Sequence, residues 1–321
     1  MAKNKKTPGY LALHQSGELQ RRIDTLTEIL RECVLCPRQC KVDRLAGETG
    51  FCRTGGRAVV ASYNAHFGEE SCLVGVSGSG TIFFGNCNLG CVFCQNYSIS
   101  HDGEGIETDS GQLAAIMVSL QKLGCHNINL VTPSHVIPQI VAALPAAIGR
   151  GLTIPLVYNS SGYDSVDTLR LLEGIVDIYM PDFKFWSSGS AGLLANAPDY
   201  PDRAGAAVRE MHRQVGDLTM DGRGLAVKGL LVRHLVMPGC LDETKEIMIF
   251  LAALSPRTYV NVMEQYRPLY RAGEFPTIDR PLSPAEYEQA VQFARQSGLT
   301  RLEENGLLRL LEKIKFQPFP E

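Results

Sequence analysis

After residue 80 the chain alternates apolar runs of strand length with longer stretches of helical periodicity, and this alternation narrows the possible folds more than any other feature. Thr81 to Gly85, Asn127 to Val131, Ile154 to Tyr158, Val176 to Met180, Leu230 to Val236 and Thr258 to Met263 are mostly apolar and rich in β-branched or aromatic residues, which predicts strands. Amphipathic helical patterns separate them. One runs from Gln112 to Leu123, with Leu113, Ile116, Met117, Leu120 and Leu123 at helical spacing, and another follows the capping box Ser283-Pro284-Ala285-Glu286. Parallel neighbours need a crossover long enough to hold a helix, so these units predict a parallel sheet. They fall short of the eight that close a full barrel. The expectation is therefore an α/β fold, a partial (β/α)6 barrel with its site at the carboxyl ends of the strands. A chain of 321 residues that is 45% hydrophobic can bury such a core. Residues 1–79 differ in kind, with a helix around Glu18 to Arg31 and then a glycine- and cysteine-rich stretch. They are expected to form a metal-binding extension packed on a barrel of residues 80–321.

The start, Met1 to Tyr10, is lysine-rich but leads into no apolar stretch of signal-peptide length, and later apolar runs are broken, as at Pro145, or too short to span a bilayer. A soluble, cytoplasmic protein without a membrane partner is expected. The net charge of -3 gives no overall basic field of the kind that draws nucleic acid. In a reducing cytosol, ten cysteines point to metal or cluster binding rather than to disulfides. Seven fall into two groups: Cys33, Cys36, Cys40 and Cys52, then Cys87, Cys91 and Cys94. Cys72, Cys125 and Cys240 are scattered and read as small buried hydrophobes.

The second group lies directly after the first barrel strand, in Gly-Asn-Cys-Asn-Leu-Gly-Cys-Val-Phe-Cys-Gln-Asn-Tyr at 85 to 97. Three thiolates leave a four-iron cluster one ligand short. The open iron can bind the amino and carboxylate groups of S-adenosylmethionine and pass an electron into its sulfonium. Zinc would want a fourth protein ligand in a structural site, or flanking histidine or carboxylate in a catalytic one. A zinc knuckle or an electron-transfer cluster is the alternative at this point.

The Cys-x3-Cys-x2-Cys spacing, Phe93 just before the last cysteine and the place after the first strand resemble the radical S-adenosylmethionine superfamily. Within it the chain resembles the PflX-like proteins, relatives of the pyruvate formate-lyase activating enzymes, over nearly its whole length. The phrases that carry this are Cys-Val-Leu-Cys-Pro-Arg-Gln-Cys at 33 to 40, Gly-Glu-Thr-Gly-Phe-Cys at 47 to 52, His-Phe-Gly-Glu-Glu at 66 to 70 and Cys-Gln-Asn-Tyr-Ser-Ile-Ser at 94 to 100. Val-Thr-Pro-Ser-His at 131 to 135 and Val-Met-Glu-Gln-Tyr-Arg-Pro at 262 to 268 complete them.

The resemblance implies Cys87, Cys91 and Cys94 as catalytic cluster ligands, with Phe93 beside the adenine of S-adenosylmethionine or simply packing the loop. Thr132-Pro133-Ser134-His135 stands where the activating enzymes carry Gly-Gly-Glu-Pro, and departs from it. Thr132 and Ser134 could still accept hydrogen bonds from the cofactor's amino group, although a Ser134 helix cap explains that residue equally well. His135 either faces substrate or begins the helix. By position, Asn159, Ser160 and Asp182 resemble a site where an alkali cation and the cofactor carboxylate share oxygen ligands. The alternative is a solvated turn with a surface ion pair between Asp182 and Lys184, a residue that is also a candidate substrate contact.

Arg233 is a cofactor-site candidate on the fifth strand, able to pair bidentately with a carboxylate, and strand alternation then turns His234 to the other face. Gln265 and Tyr266 are candidate substrate contacts, the tyrosine being equally a buried structural residue. Glu69 and Glu70 either contact substrate or form a charged loop at the barrel rim. Cys33, Cys36, Cys40 and Cys52, helped to turn by Gly47 and Gly50, close a site that suits either a second 4Fe-4S cluster or a structural zinc.

The expected reaction is reductive cleavage of S-adenosylmethionine and hydrogen-atom abstraction from a substrate. An electron donor such as flavodoxin or ferredoxin would feed the cluster, and a glycyl radical enzyme is one candidate partner. Modification of a small molecule or another macromolecule, and a cluster-carrying electron-transfer or scaffold role, are the other readings.

Overall fold

The computed structural model describes residues 7–303, so most of the lysine-rich start lies outside the described residues. In chain order the strands are β1 (Ala58–His66), β2 (Ser79–Phe84), β3 (Ile106–Thr108), β4 (Ile128–Val131), β5 (Leu156–Ser160), β6 (Ile178–Pro181), β7 (Thr219–Met220), β8 (Ala226–Leu235), β9 (Tyr259–Met263) and β10 (Arg301–Leu302). They form one sheet in the order β10-β9-β8-β6-β5-β4-β2-β1-β3, with β7 paired to β8 off this path. The run β2-β4-β5-β6-β8-β9 is parallel throughout and follows chain order. Mostly parallel strands with helical crossovers make this an α/β fold, and the sheet is the open, partial-barrel type that six units predict.

The helices form where local chemistry marks their ends. Ser283 caps Pro284–Gln296 in a full capping box with Glu286. Asp109 and Gln112 make a second box at the start of Ser110–Lys122, so that helix begins two residues before the apolar pattern does. Within the first 79 residues β1 is a strand that composition does not announce. Its last five residues, Ser62 to His66, are half-buried or exposed, because it pairs antiparallel with β2 and with the short edge strand β3.

Side-chain alternation divides the sheet into two faces. Tyr158, Tyr179, Val232 and Val260 enter the large core shared with the helices. Val157, Ile178, Leu231 and Tyr259 point the other way and pack with Cys72 and Leu73 from the single turn Ser71–Val74. That turn packs on this second face of the sheet as a small plug. The next inward layer is polar, built from Glu69 and Glu70 just before the turn with Asn129, Arg233 and Asn261 from the strands.

Candidate functional site

Above the polar layer, at the carboxyl ends of the parallel strands, lies a cavity of about 410 Å³, in the size range of small-molecule sites. Cys87, Cys91 and Cys94 reach it from the loop after β2, and Phe93, Thr132, Asn159, Ser160, Asp182, Lys184, Arg233 and Gln265 also line it. Register explains the convergence, since Phe83, Val131 and Asn159 pair in turn across β2, β4 and β5, and Asp182 bridges to Arg233.

The thiols are sheltered. Burial pushes the Cys87 thiol up to about 11, helped by Cys94 and opposed by the Leu89 N–H and Lys184. Burial raises Cys91 further, with Lys184 again opposing and Cys94 and Cys87 adding to the rise. Burial thus disfavours the free thiolates of Cys87 and Cys91, and a bound metal would supply the positive charge that stabilises them. The Leu89 N–H donates to Cys87 Sγ at 3.4 Å, and Ser100 Oγ lies 3.0 Å from Cys94 Sγ. Three cysteine sulfurs in one cavity, two of them hydrogen-bonded, fit a thiolate-ligated iron-sulfur cluster with one iron left to an outside ligand.

The charged residues are tied to one another. Arg233 donates from Nε and Nη2 to both Glu70 oxygens at 2.7 and 2.8 Å, and also pairs with Glu69. Asn261 Nδ2 donates to Glu70 Oε1 at 2.8 Å. Burial alone would raise the Glu70 carboxyl, but the Arg233 charge and these hydrogen bonds outweigh it and hold the group below the usual carboxylate range. Arg233 thus finds its bidentate carboxylate within the chain. Glu69 lines the cavity, and Glu70 lies buried beside it. As alternation requires, His234 faces away, its Nδ1 2.7 Å from the Phe183 carbonyl and its Nε2 2.9 Å from Thr244 Oγ1.

Asp182 and Lys184 form an ion pair in the cavity wall, with side chains 20% and 13% exposed, where a surface pair was the alternative expectation. Burial works against the Lys184 charge, while Asp182 and then Cys91 outweigh it and raise the ammonium. Phe93 is buried, its ring 6.1 Å from Phe185 and 6.0 Å from Tyr266. Tyr266 is the structural tyrosine of the two readings, its hydroxyl donating to the Ile278 carbonyl at 2.7 Å.

Two residues depart from their expected places. Ser134 caps no helix, since the next helix begins at Ile137 after Val136, and its hydroxyl donates to Asp164 Oδ1 at 2.6 Å. His135 turns from the large cavity and lines a second, small one with Cys33, Cys36, Cys40 and Cys52. Its Nε2 donates to the Gly85 carbonyl at 2.9 Å, and among the described residues its Nδ1 has no hydrogen-bond partner. Asp164, which motif reading passes over, gathers the hydroxyls of Ser134, Tyr158 and Ser160. Burial raises this carboxyl even against those three hydrogen bonds. The cue available was a single aspartate shortly after a strand end, in Ser-Ser-Gly-Tyr-Asp at 160 to 164.

Fold and site together define an α/β protein with a cysteine-bearing loop over the carboxyl ends of a parallel sheet. The chain belongs to the same family as the uncharacterized protein MJ0674 of Methanocaldococcus jannaschii, with 32% identity over 289 residues, 88% of this chain and 79% of that one. No protein-family model matches it. Solved structures similar to part of the chain include Streptococcus suis SuiB bound to the precursor peptide SuiA, with TM-score 0.48 and 13% identity over 71% of this chain and 49% of that one. HydG, a maturase of the FeFe-hydrogenase, gives 0.48 and 14% over 70% and 51%. The radical S-adenosylmethionine methyltransferase TsrM from Kitasatospora setae, with cobalamin and a 4Fe-4S cluster bound, gives 0.47 and 13% over 75% and 57%. The chain thus spans about half the length of these solved structures. Among the described residues no helix is long and apolar enough to cross a membrane.

Proposed function

We propose that this chain is a radical S-adenosylmethionine enzyme. The observation that carries the reading is the meeting of Cys87, Cys91 and Cys94 with Asn159, Asp182 and Lys184 in one cavity at parallel-strand carboxyl ends. A 4Fe-4S cluster held by the three cysteines would supply the electron that cleaves S-adenosylmethionine to methionine and a 5'-deoxyadenosyl radical, which takes a hydrogen atom from substrate.

The remaining work falls to the chain's own side chains. Glu69, Glu70 and Asp182 against Arg233 and Lys184 leave one net negative charge around the cavity, a field that favours a sulfonium cation. Phe93 supplies an apolar wall for an adenine, and the Thr132 carbonyl and Gln265 supply acceptors for polar groups. Asn159 and Asp182 offer oxygens for the alkali cation of the resemblance, whereas the Ser160 hydroxyl is already committed to Asp164. The PflX-like resemblance makes a glycine on a partner enzyme the first substrate to try, with a flavodoxin or ferredoxin as cytoplasmic electron donor. The four amino-terminal cysteines make a site of their own.

The test is anaerobic incubation of the reduced protein with S-adenosylmethionine and detection of 5'-deoxyadenosine. The parent should form it, and the variant with Cys87, Cys91 and Cys94 all changed to Ala should not. Equal formation by both would end the reading, and so would a fully iron-loaded parent that forms none. Deuterium carried from labelled candidates into 5'-deoxyadenosine then separates a protein glycine from a small-molecule substrate.

A further inference from the structure

Cys33, Cys36, Cys40 and Cys52 close around a hollow of about 10 Å³, roughly one water's worth of space. Thiolates about 2.3 Å from a tetrahedral zinc stand about 3.8 Å from one another, in contact, with no such hollow between them. Among the described residues no group of three or more His, Cys, Asp or Glu side chains is spaced to share a single ion. A four-iron cube asks for the wider arrangement, because each sulfur binds its own iron at a separate corner.

The surroundings ask for negative charge. Arg44 is 1% exposed, and among the described residues its guanidinium enters no ion pair. It donates to the Gly55 carbonyl at 3.1 and 2.9 Å, to the His135 carbonyl at 3.0 Å, and to Cys33 Sγ at 3.9 Å. A buried guanidinium without a carboxylate is costly unless an anion stands beside it, and four thiolates around a cluster carry a net negative charge. A further N–H points at sulfur, since Phe51 N–H donates to Cys40 Sγ at 3.4 Å. Gly50 is required here, since a Cβ on it would stand 2.6 Å from Cys40 Sγ.

We propose that Cys33, Cys36, Cys40 and Cys52 hold a second 4Fe-4S cluster, fully ligated by the chain and set beside the three-cysteine loop through Asn88. Asn88 follows Cys87 directly, and its carbonyl accepts from Arg38 Nε at 3.0 Å, so the segment between Cys36 and Cys40 is tied to the residue covalently joined to a ligand of the first site.

This proposal stands whether or not the first site cleaves S-adenosylmethionine, and so does its test. The full chain with Cys87, Cys91 and Cys94 changed to Ala is reconstituted anaerobically with iron and sulfide in the presence of equimolar zinc, then analysed for metal and by Mössbauer spectroscopy. The expected result is about four irons and four sulfides per chain in a single cubic cluster, with zinc well below one. One zinc without iron, or a folded variant that holds neither metal, overturns the assignment. Should the variant not fold, the parent chain decides: about eight irons supports the second cluster and about four overturns it.

Discussion

Glu70 shows how much rests on single residues. It is buried, accepts two hydrogen bonds from Arg233 and one from Asn261, and so anchors the charged network behind the cavity. Removing one partner of a buried pair strands the other, at a cost of about 3–5 kcal/mol. Because Glu69 also pairs with Arg233, Glu70→Gln is expected near the lower end, about 3 kcal/mol, read as a shift in the guanidinium unfolding midpoint. Asp182 gives a different outcome because it faces the cavity. Asp182→Asn keeps the shape but loses the charge, so the fold and cluster should survive while S-adenosylmethionine binds about ten-fold more weakly, a change of about 1.4 kcal/mol. Titration calorimetry with potassium and then a large organic cation checks this, and equal affinity in parent and variant would remove Asp182 from the cofactor site. The inward turn of Arg233 was legible from strand alternation. Its carboxylate partners lie 163 and 164 residues away in sequence, a distance at which no local pattern speaks.

At the scale of elements, the three-cysteine loop, the six parallel strands and the Ser283 cap follow from spacing, β-branching and capping chemistry. β1 did not stand out because its outer half is polar, and Ser134 misleads because a serine before an apolar helix looks the same whether it caps the helix or bonds a remote aspartate. The turn after β5 shows what local sequence can hide. Gly162 has φ +78°, and a Cβ on it would lie 2.2 Å from the Asp182 carbonyl oxygen and 3.0 Å from the Tyr200 hydroxyl. Gly162→Ala must therefore push two strand ends apart. The expected cost is about 2–3 kcal/mol, from left-handed strain plus overpacking. Tyr200 couples this turn to the site, since its hydroxyl donates to the Ser161 carbonyl at 2.9 Å and receives the Lys184 N–H at 2.9 Å. Gly162→Ala should accordingly weaken S-adenosylmethionine binding as well as stability, and a variant that loses stability alone would show the turn to be insulated from the cavity.

For the molecule as a whole, buried histidine links stability to pH. Burial holds His234 below the usual histidine range, against the Phe183 carbonyl that would raise it. Its unfolded value is about 6.5, so as pH falls below that the unfolded chain takes up a proton that the folded chain refuses, and stability drops by up to about 1.4 kcal/mol per pH unit. His234→Gln loses two hydrogen bonds and should be less stable at pH 7. It should also lose less on acidification, so the gap between parent and variant narrows by about 1 kcal/mol between pH 7 and pH 5.5. Unfolding midpoints at the two pH values check this, and a constant gap would mean that His234 titrates normally in the fold.

The plug on the second face of the sheet bears on how the chain must assemble. Glu69 and Glu70 meet Arg233 and Asn261 across separations of 163 to 191 residues, and the Ser71 N–H meets Glu303 across 232. A growing chain presents the plug first and its counter-charges last. Until β8 and β9 arrive, the two carboxylates have no arginine to neutralise them, and enclosing them would be unfavourable. Closure of the sheet around the plug thus belongs to the end of folding, after most of the chain has been made. Contacts this remote in sequence are slow to form, and the half-made sheet would meanwhile expose strand edges to other chains.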